Sequence, residues 1–105
     1  MGDRAQVYIM DTGVYLYTHW GGSRIANDVR EALAKRWRWY DPEYLARIIF
    51  DVMTRGLQGE EIGFGIGTSE NSDLQHPLIT INCDTETITI GTESQSFEEF
   101  IEEGE

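Results

Sequence analysis

A chain of 105 residues, 40% of them apolar and 26% charged, has the composition of one globular domain over residues 1–105 and not that of a disordered protein. The net charge of −11 disfavours direct binding to nucleic acid and to anionic membranes, because like charges repel. No apolar run approaches the roughly 18 residues of a membrane-spanning helix. Together with a single cysteine, this predicts a cytoplasmic protein without a disulfide.

The charge is distributed unevenly along the chain. Residues 24–55 carry seven of the eight Lys and Arg residues against five acidic residues. Residues 56–105 carry twelve acidic residues and no Lys or Arg. Such an acidic half attracts basic partners, and its simplest alternative role is to keep the protein soluble.

The N-terminal pattern predicts a β-hairpin. Val7–Met10 and Val14–Tyr17 have the composition of strands, and Asp11–Gly13 separates them with a loop of hairpin length. Alternation along the second strand places side chains on two faces. One face carries Val14, Leu16, Thr18 and Trp20, and the other carries Tyr15, Tyr17 and His19.

Two helices are predicted next. Ser23 is expected to cap a helix that runs to about Tyr40, and Asp41-Pro42 to start a second helix that stops at Gly56. Apolar residues recur at the helical period and predict buried stripes. The first stripe is Ile25, Val29, Ala32, Leu33, Trp37 and Tyr40, and the second is Tyr44, Leu45, Ile48, Ile49, Val52 and Met53.

The C-terminal half predicts three strands and a short helix. Ile62–Gly67 forms a glycine-rich strand, Leu78–Asp84 and Glu86–Gly91 form a hairpin, and Ser96–Glu99 has the spacing of a capping box. The predicted order is β-β-α-α-β-β-β-α. We therefore expect an α+β fold with one antiparallel sheet, two main helices packed on one face and a short C-terminal helix.

The segment from Tyr17 to Arg24 is the first candidate for a binding site. Two glycines allow close approach of a ligand, and the helix that follows offers free N–H groups to an anion. Arg24 lies in the first helical turn, where a cation is unfavourable unless an anion compensates it. The predicted ligand-binding residues are Tyr17, His19, Trp20, Gly21, Gly22, Ser23, Arg24 and Gly65. The alternative is an ordinary strand-to-helix turn with Trp20 in the core.

Gly65 belongs to the repeat Gly63-x-Gly65-x-Gly67, which lacks the spacing of a dinucleotide-binding loop. Glycines on one face of a strand make room for a neighbouring aromatic ring, here Tyr15 or Tyr17, or they form the floor of a pocket under His19.

The sequence indicates neither an enzyme nor a metal or cofactor site. His19 and His76 are the two imidazoles and Cys83 is the one thiol, and no metal-ligand spacing occurs. Cys83 shares the core face of its strand, where a thiol is unreactive. The basic and aromatic stretch Lys35–Tyr40 is interpreted as a helix with Trp37 in the core and its arginines outside.

The segments Val14–Gly22, Trp39–Asp41 and Tyr44–Ile49 resemble a family of small uncharacterised bacteriophage, prophage and bacterial proteins with a Tyr-x-His-Trp-Gly-Gly motif. The similarity extends over about residues 14–101. It implies an accessory protein that counteracts host defence by binding.

Three hypotheses about function follow. The first is a non-catalytic binding protein that takes a small anionic ligand or a host protein at the turn from His19 to Arg24. The second is an acidic mimic of nucleic acid that blocks a basic host enzyme, and the third is a structural or packaging accessory of a phage. Strand edges in so small a domain also favour a homodimer.

Overall fold

A computed structural model describes residues 2–55 and 63–104. The described part holds six strands and three helices. The strands are β1 (Ala5–Ile9), β2 (Val14–Thr18), β3 (Phe64–Gly67), β4 (Ile79–Asn82), β5 (Thr87–Ile90) and β6 (Glu93–Ser96); the helices are α1 (Ile25–Ala34), α2 (Pro42–Met53) and α3 (Phe97–Glu103). The predicted stop at Gly56 and strand start at Ile62 lie outside the described residues.

The strands form one mixed sheet in the order β3-β2-β1-β4-β5-β6. The α+β class is confirmed, but the purely antiparallel sheet was wrong, because β1 and β4 pair in parallel with Val7 opposite Ile79. The predicted element order also lacked β6, whose residues Glu93–Ser96 have no apolar alternation. β6 pairs along the edge of β5, where a strand needs no buried face.

All three helices cover one face of the sheet. The strand residues that point toward them are buried, as are the inner stripes of α1 and α2, so the core lies between helices and sheet. This confirms the predicted layer of helices on one face. The largest fully buried side chains include Ile9, Leu16, Leu33, Leu45, Ile49, Ile81, Phe97 and Phe100.

Helix α1 is shorter than its apolar period predicts. It ends at Ala34, and the backbone then turns through left-handed residues at Arg36 (φ 61°) and Arg38 (φ 59°). Trp37 and Tyr40, which were predicted to lie in the buried stripe, are exposed, as is Tyr44 of the stripe predicted for α2. The indole of Trp39 donates a 3.0 Å hydrogen bond to the carbonyl of Leu33, which also accepts the N–H of Arg36 at the end of α1.

The starts of α2 and α3 follow the sequence. The side chain of Asp41 accepts a hydrogen bond from the N–H of Tyr44, with Pro42 in the first turn of α2. Ser96 and Glu99 form a reciprocal capping box at α3. Both predictions are confirmed because each depends on residues within one helical turn.

The loop of residues 68–77 joins β3 to β4 across the face opposite the helices. The Gln6 side chain donates to the carbonyl of Ser69 and accepts from the N–H of Asn71, so the loop buries it. Farther along, the backbones of Gln75 and Arg4 are joined by a hydrogen bond of 3.0 Å. Within residues 2–55 and 63–104, no helix is both long enough and apolar enough to cross a membrane.

Candidate functional site

The predicted binding turn connects β2 to α1. The N–H of His19 donates to the carbonyl of Gly63 at 2.8 Å, and the N–H of Gly21 donates to the hydroxyl of Thr18 at 3.0 Å. A short 3₁₀ turn, Gly22–Arg24, then leads into α1. Ser23 lies inside this turn and does not cap α1, so that prediction was wrong.

A carboxylate of the chain itself occupies the helix start. Asp3 Oδ2 accepts the N–H of Ser23 at 2.8 Å, and its carbonyl accepts the N–H of Gly22 at 2.7 Å. Asp3 Oδ1 lies 2.5 Å from His76 Nε2. Hydrogen bonds from Ser23 and then from His76 lower the pKa of Asp3 to about 2. An anion therefore is present at the predicted position, and it is supplied by the N-terminal segment.

The second glycine serves this internal contact. A Cβ on Gly22 would lie 2.5 Å from both the Asp3 carbonyl oxygen and His76 Cδ2, which no side chain can tolerate. A Cβ on Gly21 would lie 3.0 Å from the Thr18 hydroxyl. Close approach of the Asp3 backbone therefore explains Gly22, whereas Gly21 leaves space for the side chains of Thr18 and Arg24.

Arg24 also has a partner within the chain. Its guanidinium lies 3.6 Å from the carboxylate of Asp28, one turn along α1. Asp28 is buried, which raises the pKa of its carboxyl, and Arg24 and then Arg55 act in the opposite direction. The cation in the first turn is thus compensated by a buried acid.

His19 lies in a small aromatic cluster at the end of β2. Its Nδ1 is 2.9 Å from the hydroxyl of Tyr17, and its ring meets the indole of Trp20 edge-on at 4.2 Å. Trp20 is 56% exposed, so it is not the core residue of the alternative interpretation. Gly65 lies opposite Tyr17 in the β2–β3 pairing, and a Cβ there would lie 4.0 Å from the Tyr17 ring, so the ring does not require a glycine at this position. The fold therefore brings together all eight predicted site residues around the end of β2.

No group of three or more His, Cys, Asp and Glu residues among the described residues could hold a metal ion. Cys83 is buried in the core, as predicted, and burial raises the pKa of its thiol to about 11.

The structure exposes a second site that the sequence analysis assigned to a helix. The loop after α1 and the first turns of α2 form what we call the aromatic–arginine surface: Trp37, Arg38, Tyr40, Tyr44 and Arg47. Together with Arg36 and Ile48 these residues line an open cavity of about 500 Å³. Trp37 is 58%, Tyr40 72% and Tyr44 50% exposed. The guanidinium of Arg38 stacks 4.2 Å above the ring of Tyr44.

One signal could have revealed this surface. The cap at Asp41 and Pro42 requires extended backbone at Asp41, so the chain has to leave the helical conformation by that residue. This constraint allows a loop before α2, and the structure begins that loop at Lys35, with three cations among Lys35–Tyr40. The helical period of the apolar residues indicated instead a helix up to Tyr40.

A smaller cavity of about 310 Å³ lies between α2 and the edge of the sheet. Its floor is apolar, and its rim carries one acid and one base, Glu43 and Arg47. The remaining lining residues are Thr12, Val14, Leu16, Ala46, Phe50 and Ile66.

No protein family, no curated protein and no solved structure matches the chain.

Proposed function

We propose that this is a non-catalytic binding protein that captures an acidic protein partner on the aromatic–arginine surface. The observation that carries the proposal is the joint exposure of Trp37, Tyr40 and Tyr44 beside two arginines. Trp, Tyr and Arg are the residues that contribute most binding energy at protein interfaces. An exposed apolar cluster with a polar border is also typical of a binding site.

The backbone of the loop supports this proposal. Arg36 and Arg38 both adopt left-handed conformations, which cost an L-residue other than glycine roughly 1–2 kcal/mol each. Strain of this kind concentrates at functional sites, where the surrounding structure maintains it. Here it turns Trp37 outward and places Arg38 over Tyr44.

Electrostatics define the class of partner. The surface concentrates cations on a chain whose net charge is −11, so it favours a partner that presents a few carboxylates among apolar groups. A nucleic acid carries charge along its whole length and would be repelled by the rest of the molecule. Arg47 forms no ion pair among the described residues and is available to such a partner.

The turn from His19 to Arg24 is the weaker candidate for an anion site. Its N–H groups at Gly22 and Ser23 bind Asp3, and Arg24 pairs with Asp28. The acidic-mimic hypothesis gains no specific support either, because three of its carboxylates pair with arginines of the chain. They are Asp73 with Arg4, Glu98 with Arg36 and Glu103 with Arg30.

The role as a phage-type accessory protein that counteracts host defence stays a prediction, and it directs the search for the partner to bacterial host lysates.

The experiment compares the proteins that the wild type, Trp37→Ala and Trp20→Ala capture from such a lysate, quantified by mass spectrometry. Trp20 is the matched control because it is equally exposed, at 56% against 58% for Trp37, and lies at the other candidate site.

We expect Trp37→Ala to reduce capture of one acidic protein at least tenfold, equivalent to about 1.4 kcal/mol, and Trp20→Ala to retain it. The purified partner must then bind the wild type directly, with an affinity that falls as salt rises. Loss on Trp20→Ala with retention on Trp37→Ala would instead assign binding to the His19 turn. The absence of any protein captured by the wild type and lost on Trp37→Ala would refute the proposal.

A further inference from the structure

Within residues 2–55 and 63–104, the strand β3 is an edge of the sheet. Among the described residues its one neighbour is β2, and its sequence Phe-Gly-Ile-Gly contains no charge and no proline. Charged residues and prolines normally protect natural edge strands, because the free N–H and C=O groups of an edge otherwise pair with further strands. The opposite edge, β6, carries Glu93 and only polar side chains. The two edges therefore differ in the protection that their sequences provide.

The direction of the free backbone groups on β3 follows from its pairing. The N–H of His19 donates to Gly63, so Gly65 and Gly67 also lie at hydrogen-bonded positions opposite β2. The intervening residues, Phe64 and Ile66, then direct their N–H and C=O groups away from β2. These groups form a short template for one more strand.

The side chain of Ile66 adds an apolar contact at the same edge. It is 64% exposed and lines the 310 Å³ cavity beside α2. Ile66 and the apolar lining of the cavity form one contiguous apolar surface, which is typical of a site that a binding partner covers. A strand added to β3 would lie along this cavity.

We propose that the occupant is a second copy of the chain, joined by antiparallel pairing of the two β3 strands. The pairing is centred on Gly65, which places Phe64 opposite the partner's Ile66 in both directions. Aromatic and β-branched residues are favourable cross-strand pairs. The two-fold axis stands perpendicular to the sheet, so both helix layers lie on the same side and the two apolar cavities face each other.

Charge supports a second copy as the occupant. Two molecules of charge −11 repel each other over most of their surface, but β3 is neutral and the cavity rim carries one acid and one base, Glu43 and Arg47. The four residues of β3 therefore add no charge repulsion of their own to the pairing of two copies. Arg47 lines both cavities, but the pairing is argued from β3 and Ile66 and uses neither Trp37 nor Tyr40, so this inference does not depend on the proposed function.

Sedimentation of the full chain from about 1 μM to 1 mM tests the association. We expect a monomer–dimer equilibrium that Ile66→Lys shifts to monomer, while Ser94→Lys on β6 leaves it unchanged. Both substitutions add one charge to the centre of an edge strand, and circular dichroism confirms that both variants fold. A monomer throughout the range would overturn the proposal. A dimer that persists in the Ile66→Lys variant would also overturn it.

Cysteine cross-linking tests the register. A Cβ at Gly65 would meet its nearest neighbour, Tyr17, at an ordinary 4.0 Å, and one at Gly67 would meet nothing within 4 Å. In the proposed register Gly65 faces itself across the axis, whereas Gly67 faces the partner's Gly63. Mild oxidation should therefore cross-link Gly65→Cys and leave Gly67→Cys monomeric in denaturing electrophoresis. Equal cross-linking of both, or none at Gly65→Cys, would overturn the proposed pairing.

Discussion

Asp3 and His76 lie 73 positions apart in the sequence, yet their side chains meet at 2.5 Å beside the start of α1. This contact joins the N-terminal segment to the loop before β4 and fixes both against Gly22 and Ser23. It also explains why the sequence pattern resembled an anion site, since the anion belongs to the same chain.

The first prediction concerns pH. The pKa of Asp3 is lowered to about 2 in the fold, below the value near 3.9 of an aspartate in an unfolded chain. Its ionised form therefore stabilises the fold above about pH 4, and this contribution is lost as the pH falls toward 2. We expect Asp3→Asn to lower the melting temperature at pH 7 and the difference from wild type to vanish near pH 2.

The control for this titration is Asp73→Asn, which removes an exposed carboxylate that lies 3.7 Å from Arg4. Thermal melts followed by circular dichroism should show little effect of that variant at any pH. A melting temperature of Asp3→Asn equal to wild type at pH 7 would contradict the assigned role of Asp3.

The second prediction concerns the close approach at Gly22. Gly22→Ala places a Cβ 2.5 Å from the Asp3 carbonyl oxygen, and a backbone atom cannot move aside cheaply. We expect a loss of about 3 kcal/mol in the free energy of unfolding, measured by urea titration. Gly67→Ala is the matched control, with nothing within 4 Å of its Cβ, and should change stability by less than about 1 kcal/mol. Equal effects of the two variants would show that space at Gly22 is not limiting.

The third prediction separates two roles of Arg24. If it pairs with buried Asp28, Arg24→Ala costs about 0.5–1 kcal/mol in the wild-type background and almost nothing in Asp28→Asn. A double-mutant cycle from urea titrations measures this coupling. If instead Arg24 serves an external anion, its removal has the same effect on stability in both backgrounds.

The fourth prediction contrasts two tryptophans of one loop. Trp39 bonds to the Leu33 carbonyl and its ring meets Phe97 edge-on at 5.1 Å, whereas Trp37 is exposed. We expect Trp39→Ala to cost about 3 kcal/mol of unfolding free energy and Trp37→Ala less than about 0.5 kcal/mol. Similar losses would mean that Trp37 is also structural and would weaken its assignment to a binding surface.

Local signals in the sequence were sufficient where a feature depends on neighbouring residues. The Asp41 cap and the Ser96–Glu99 capping box are confirmed because each depends on residues within one helical turn. The β4–β5 hairpin is confirmed because its two strands follow each other directly in the sequence. The eight residues of the predicted site are likewise adjacent in space, since seven of them lie within eight consecutive positions. Whether they bind a ligand stays a prediction.

The predictions that were wrong concern features that depend on contacts between residues far apart in the sequence. The packing of Trp39 on Phe97 and its bond to Leu33 end α1 six residues early, and no periodicity within α1 records those partners. The parallel pairing of β1 with β4 and the position of Asp3 depend in the same way on residues more than 70 positions distant. The aromatic–arginine surface was missed because its exposure results from the early end of α1.

The central parallel pair has a consequence for how the chain acquires its structure. β1 joins the β2–β3 side of the sheet to the β4–β6 side, yet it is synthesised first and its partner begins at Ile79. On the ribosome β1 can form only the hairpin with β2 until the residues of β4 have been made. Closing so long a loop is slow relative to hairpin formation, so refolding is expected to be limited by the docking of the C-terminal hairpin onto β1. The contacts of Arg4, Gln6 and Asp3 with the loop before β4 would then form in the same late step.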